Sequence, residues 1–217
     1  MLPPAGRVRV AAPQGMALDT IRLFVIAKLG WIRAQQRKLQ AQAQAQARET
    51  LREYLDKESH YSWGQRYLLE ISQADAVPPV SLTPRKLRLQ VRPGADQARC
   101  EAVLDAWYRQ QVRDAVPALL AKWQPLLQVQ ARRVFVQRMK TKWGSCTPAS
   151  GHIRLNTDLA KKPRECLEYI VVHELVHLIE PTHNARFKAL MDLHLPNWQH
   201  LRQQLIRLPV RHEDWGY

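Results

Sequence analysis

The sequence predicts an α+β protein, in which short strands accompany several helices and one helix carries a histidine-glutamate motif. Three observations carry this. Residues 165–187, ECLEYIVVHELVHLIEPTHNARF, combine helical spacing with the pattern His-Glu-x-x-His. Leu87, Leu89 and Val91 alternate with Arg88 and Gln90, and Val134, Phe135 and Val136 form the apolar centre of another strand-like stretch. Between these lies a long segment, 96–122, whose apolar residues recur at helical intervals.

The elements follow in chain order. Arg7, Val8, Arg9 and Val10 alternate and read as a short strand, and Pro13 with Gly15 makes a turn. From Ala17 onward Ile21, Phe24, Val25, Leu29 and Ile32 recur at three and four residues, with Asp19 near the helix start. The Gln/Ala repeat 40–47 consists of good helix formers, so this helix is expected to continue, solvated, toward Tyr54. Ser62-Trp63-Gly64-Gln65 reads as a turn leading into a strand over 66–71. Pro78, Pro79 and Pro84 punctuate the chain before the strand that ends at Pro93-Gly94. His60 stands alone in the sequence and is expected at the surface.

In the second half Val103, Leu104, Trp107, Val112 and Val116 mark a helix, with Leu119 and Leu120 extending it and Pro117 expected to kink or end it. Residues 129–139 read as a strand, followed by Lys140 to Cys146. Ile153, Leu155 and Asn156 make a second strand across a turn at 148–151, placing a hairpin just before the metal helix. Pro163 suits a helical first turn. Leu167, Ile170, Val171 and Leu178 are expected to form an apolar stripe around the histidines. Helical spacing returns over 185–193, Pro196 breaks it, and 198–208 forms a last amphipathic helix. The tail, 209–217, is expected to be peripheral.

Two parts are expected: an N-terminal helix with a small β-rich module, 1–95, packed on a catalytic part, 96–217. At 217 residues and 46% hydrophobic, the chain can bury a core. Thirty-three Lys and Arg against 19 acids give a formal charge of +14, which attracts polyanions. No arginine-rich block localises that charge. Three widely spaced cysteines, Cys100, Cys146 and Cys166, with no secretion-type leader, point to reduced thiols in the cytoplasm. No run of eighteen apolar residues exists to span a membrane.

The chemistry concentrates on His173-Glu174-Leu175-Val176-His177 and His183. Residues four apart on a helix differ by about 400°, so His173 and His177 project from one face about one turn apart. Pro181 is expected to stop the helix so that the chain returns His183 as a third ligand. Three imidazoles and one open position make a catalytic Zn2+ site. Glu174 sits beside the metal without ligating it, where it accepts a proton from water. A purely structural core has no use for a glutamate between two inward histidines. Cys146 can be a thiolate ligand, a nucleophile or, as favoured here, a structural thiol. His152 is expected at the surface. Arg186, three residues after His183, either stabilises an oxyanion or caps a helix. His194, His200 and His212 lack ligand spacing.

WGSC, IRLN, HELVHLIEPTHNARF and LPNW, taken together, resemble the YgjP-like metal-dependent hydrolases, relatives of SprT-like and other zincin metallopeptidases. The resemblance is specific over 139–205 and looser at 62–65 and around Trp31-Ile32. It implies a zincin-like fold with a mixed sheet packed beside the metal-binding HExxH helix, metal ligands at His173, His177 and His183, and a catalytic glutamate at Glu174. The histidine spacing also equals that of metzincins, but Glu180 and Pro181 stand where those proteins turn at glycine, and Met191 lies in a helical stretch. The wider zincin class therefore remains. The leading expectation is a zinc-dependent metallopeptidase acting on peptide or protein. Alternatives are a metal-dependent nucleoside triphosphate pyrophosphatase served by Lys140, Lys142 and Arg186, a nucleic-acid-associated SprT-like protease, and a metal that only stabilises the fold.

Overall fold

In the computed structural model, which describes residues 10, 12, 13, 15–45, 53–73, 79–139 and 142–207, the alternating stretches become two mixed sheets. The chain divides into two units, Met1–Arg48 and Glu49–Tyr217. The first contains α1 (Leu18–Ala45), with Asp19 in its first turn as the sequence suggests. Leu23, Phe24, Ile26 and Trp31 on α1 are each at least 61% exposed. Of the strand expected at 7–10 only Val10 is described, exposed and in no strand, while 7–9, the tail 209–217 and any continuation of α1 over 46–52 lie outside the described residues. Tyr54 itself is not helical and has a φ of 55°.

In the second unit β1 (Ser59–Ser62), β2 (Gln65–Gln73), β3 (Val80–Leu82) and β4 (Lys86–Val91) form a sheet in the order β1-β2-β4-β3. The stretches read as strands at 66–71 and 87–91 are its centre, paired in parallel, with Leu69 opposite Leu87 and Ile71 opposite Leu89. The edge strands β1 and β3 were not expected. They are three or four residues long and carry little alternation, so pairing with β2 and β4 defines them. Trp63 and Gly64, with φ of 48° and 81°, make the two-residue turn between β1 and β2. The Trp63 N–H donates to Ala160 O at 2.7 Å and the Gly64 N–H to Lys161 O at 3.3 Å, so the hairpin tip docks on the segment before the helix that carries the His-Glu-x-x-His motif. A Cβ on Gly64 would lie 2.8 Å from Pro163 Cγ. His60 is 5% exposed, with Nε2 3.7 Å from the Glu58 carboxylate, which corrects its expected surface placement.

α2 (Gln97–Leu127) begins where Asp96 accepts the Arg99 N–H at 2.8 Å. It continues through Pro117 and Pro125 instead of ending at the first. Each proline removes one helical hydrogen bond, but a stripe from Cys100 through Leu104, Tyr108, Val112, Val116 and Trp123 to Leu127 is buried, and that burial outweighs the loss.

β5 (Arg133–Gln137), β6 (Gly144–Thr147) and β7 (His152–Asn156) form the second sheet in the order β5-β7-β6. The turn at 148–151 joins β6 to β7 as an antiparallel hairpin, while the strand expected over 129–139 shortens to β5 and pairs with β7 in parallel. The face carrying Val136, Ile153 and Leu155 is buried. A short 3-10 helix, Thr157–Lys161, leads into α3 (Arg164–Val176), which is followed by α4 (Ala185–His194) and α5 (Trp198–Arg207). Pro163 occupies the N-cap position, one residue before the expected first turn. In place of a stripe, nine of the thirteen α3 residues are buried. α2, the 3-10 helix, β6, β7, α4 and α5 all pack against it. Among the described residues no helix is long and apolar enough to cross a membrane.

Glu168 ties α2 to α3, accepting from Trp123 Nε1 at 2.8 Å and Lys122 Nζ at 2.7 Å. The lysine is more than half exposed, so its ion pair contributes little; the buried indole N–H, however, has no alternative in water. Glu168→Ala should lower stability by about 1–3 kcal/mol and Glu168→Gln by less, read from denaturant midpoints. Equal losses would place the effect in the charge.

Candidate metal centre

The last turn of α3 carries His173, and His177 is its C-cap residue, still in helical conformation at φ −64° and ψ −17°. The helix thus stops before Pro181, not at it. A turn over 177–180 follows, closed by N–H bonds of Leu178, Ile179 and Glu180 back to Leu175 O and Val176 O. Glu180 Oε1 then accepts the Thr182 N–H and hydroxyl, at 3.2 and 2.8 Å. Asn184 caps α4 by accepting the Phe187 N–H at 3.0 Å. These bonds bring His183 back toward α3.

The three histidines meet. One ring nitrogen from each lies within 4.8 Å of the others, the one such group of metal-ligand type among the described residues. His183 Nε2 is 3.1 Å from His177 Nε2 and 3.0 Å from His173 Nε2. His177 Nδ1 donates to Glu180 O at 3.0 Å, which places its proton on Nδ1 and turns the Nε2 lone pair inward. A single proton on His183 Nε2 bridges to only one neighbour, leaving the other nitrogen pair as opposed lone pairs. A cation removes that conflict. Tetrahedral nitrogen ligands on zinc lie about 3.3 Å apart, close to the spacing seen. The donor set therefore fits a divalent metal.

Phe187 is the support under the cluster. Its ring centre lies 4.9, 4.7 and 4.8 Å from those of His173, His177 and His183, and it is 2% exposed. The imidazoles are held neutral. Burial, then the neighbouring histidines and Arg202, lower His173 to about 3. Burial also lowers His177 and His183.

Glu174 points away from bulk water and is 4% exposed. Among the described residues its Oε2 has no hydrogen-bond partner, nor does His173 Nδ1. Burial pushes Glu174 up to about 8, and Lys142 pulls it back. A cation among the histidines would act in the same direction as Lys142. β6 closes the other side. A Cβ at Gly144 would stand 2.5 Å from Glu174 Oε1 and 2.8 Å from Ile170 Cγ2, so only glycine lets the strand approach this closely. Asn156 holds the preceding loop by donating to Met139 O and Lys142 O at 2.9 and 2.8 Å.

Other sequence candidates fall outside the cluster. Burial, with the Glu174 charge, pushes the Cys146 thiol up to about 11, so it is a protonated thiol at neutral pH. Arg186 is exposed and its charge acts on Glu180. His152 is half-buried, edge-on to Phe135. Sequence reasoning missed Arg202, whose charge reaches His173, His183 and Tyr169. The one available signal was its position beside the inward-facing Trp198, Leu201 and Leu205 on α5. Helical spacing over 185–193 does not single out Phe187, and nothing in the run from Lys140 to Cys146 shows which side chain Gly144 must clear.

No curated protein matches the chain. Among solved structures, the metallopeptidase zymogen of Pyrococcus abyssi abylysin is 23% identical, with a TM-score of 0.40 over 44% of this chain and 99% of that one. The metallopeptidase zymogen of Methanocaldococcus jannaschii jannalysin is 22% identical, with a TM-score of 0.37 over 44% of this chain and 93% of that one. The family model for the YgjP-like metallopeptidase domain matches residues 1–208, nearly the whole sequence, and the chain belongs to that YgjP-like metallopeptidase family.

Proposed function

We propose that the chain is a zinc-dependent peptidase of the zincin type, in which His173, His177 and His183 hold the metal and Glu174 is the general base. The observation that carries this reading is the convergence of three imidazoles on one point, with the residue after His173 holding a buried carboxylate oxygen that has no partner among the described residues. A buried carboxylate without a hydrogen bond is costly in a core and useful beside a reacting water. Zinc in such a site supplies Lewis-acid polarisation of a carbonyl and acidifies water.

Glu174 accepts the proton of the attacking water at a carboxylate oxygen and returns it to the leaving amine. Gly144 sets the room in which that carboxylate sits. Because β6 is one of the two edge strands of its sheet and the one beside Glu174, its outer backbone groups suit an extended peptide added alongside. Lys142, whose charge reaches Glu174, favours acidic groups near the scissile bond and is the observation behind a second reading, hydrolysis of a nucleoside triphosphate. Cys100, Cys146 and Cys166 are free thiols, which supports a cytoplasmic setting.

Glu174→Gln should reduce peptide turnover by about 10²–10⁴-fold while the protein still binds one zinc per chain, measured by product analysis and metal analysis together. Full turnover in that variant would remove the base; hydrolysis of nucleotides but not peptides would favour the second reading.

Metal binding should also resist acid. Metal needs deprotonated imidazoles, and ligands with ordinary pKa values near 6.5 lose affinity by up to about three log units per pH unit below that point. Here all three are lowered, so proton competition begins at lower pH. The fall in zinc affinity on acidification should therefore begin below about pH 6.5. A steep fall starting near 6.5 would contradict the burial argument.

A further inference from the structure

The net charge of +14 is unevenly distributed. Residues 115–157 contain no aspartate or glutamate and seven lysines and arginines. That run includes the whole β5-β7-β6 sheet. Strand register puts Arg133 and Phe135 of β5 on the same face as His152 and Arg154 of β7, opposite the buried Val136, Ile153 and Leu155.

On this outer face the guanidinium carbons of Arg133 and Arg154 lie 5.0 and 5.7 Å from the centre of the Phe135 ring. The His152 ring stands edge-on to it at 5.6 Å. Arg132 and Arg133 are exposed, and Phe135, His152 and Arg154 are half-exposed. Among the described residues neither Arg133 nor Arg154 has an ion-pair partner. Ring contact engages the plane of a guanidinium and leaves its N–H groups to bond elsewhere. A merely solvated surface has no need to gather two arginines and a histidine about one aromatic ring without a carboxylate among them.

We propose that this outer face binds single-stranded nucleic acid. The N–H forks of Arg133 and Arg154 suit backbone phosphates, and the guanidinium planes held against the Phe135 ring offer their outward faces as stacking surfaces for unpaired bases. An acidic protein segment satisfies the charge but has no flat partner for these groups. A duplex hides its base faces. The metal centre lies against the opposite face of the same sheet, where Gly144 abuts Glu174, so the inference stands independently of the peptidase reading.

The test uses the full-length chain and fluorescein-labelled oligo(dT) of about 20 nucleotides, followed by anisotropy from about 50 to 200 mM salt. Binding should weaken steeply with salt. Replacing both arginines, Arg133→Gln with Arg154→Gln, should weaken it at least about tenfold and flatten the log–log salt slope by about 1.4, the release expected from two fewer phosphate contacts. Phe135→Leu should weaken binding while leaving the slope unchanged, and Arg113→Gln on α2 should change nothing. Circular dichroism and zinc content of each variant separate lost contacts from lost folding. The proposal is overturned by absent binding or by an unaffected double variant. It is overturned equally if a duplex of the same length binds as tightly, or if polyglutamate displaces the oligonucleotide at equal charge concentration.

Discussion

Three imidazole nitrogens facing one another at about 3 Å impose the main constraint on this molecule. Neutral rings with opposed lone pairs repel, and charged rings repel more strongly. The surrounding structure must therefore hold them together until a cation compensates. Phe187 supports all three rings, Glu180 O fixes the His177 tautomer, and Asn184 starts the helix that carries Phe187. Burial of α3 on nearly every side gives that arrangement a rigid base.

The same demand explains why so much of the chain surrounds one thirteen-residue helix. The Trp63-Gly64 hairpin tip bonds to the backbone just before α3. Trp123 on α2 bonds to Glu168 on α3. β6 approaches so closely that only glycine fits beside Glu174. Each contact comes from a different element, and together they fix the helix in position and rotation. A carboxylate kept dry and unpartnered is costly, and these contacts are what keep it in place.

Local chemistry was legible in the sequence; tertiary packing was not. His173 and His177 could be placed on one face because helix geometry depends only on spacing, and His183 followed from the break near Pro181. Where the helix stopped could not be read, because the turn over 177–180 is set by bonds to Leu175 O and Val176 O. Pro117 and Pro125 sit inside α2 because buried apolar contacts outweigh the missing hydrogen bonds. β1 and β3 have too little pattern of their own. The support given by Phe187 and the charge contributed by Arg202 depend on how α4 and α5 return to α3, which no periodicity encodes. The acid-free stretch 115–157 was present in the sequence throughout, but its outward side needed the register of β5 with β7.

Anomalous diffraction from zinc-soaked crystals at the zinc absorption edge tests the central claim most directly. One strong peak about 2.0–2.1 Å from Nε2 of His173, His177 and His183, with Glu174 outside bonding distance, is the expected result. Zinc bound elsewhere, or the three rings turned apart at full zinc occupancy, would contradict the account.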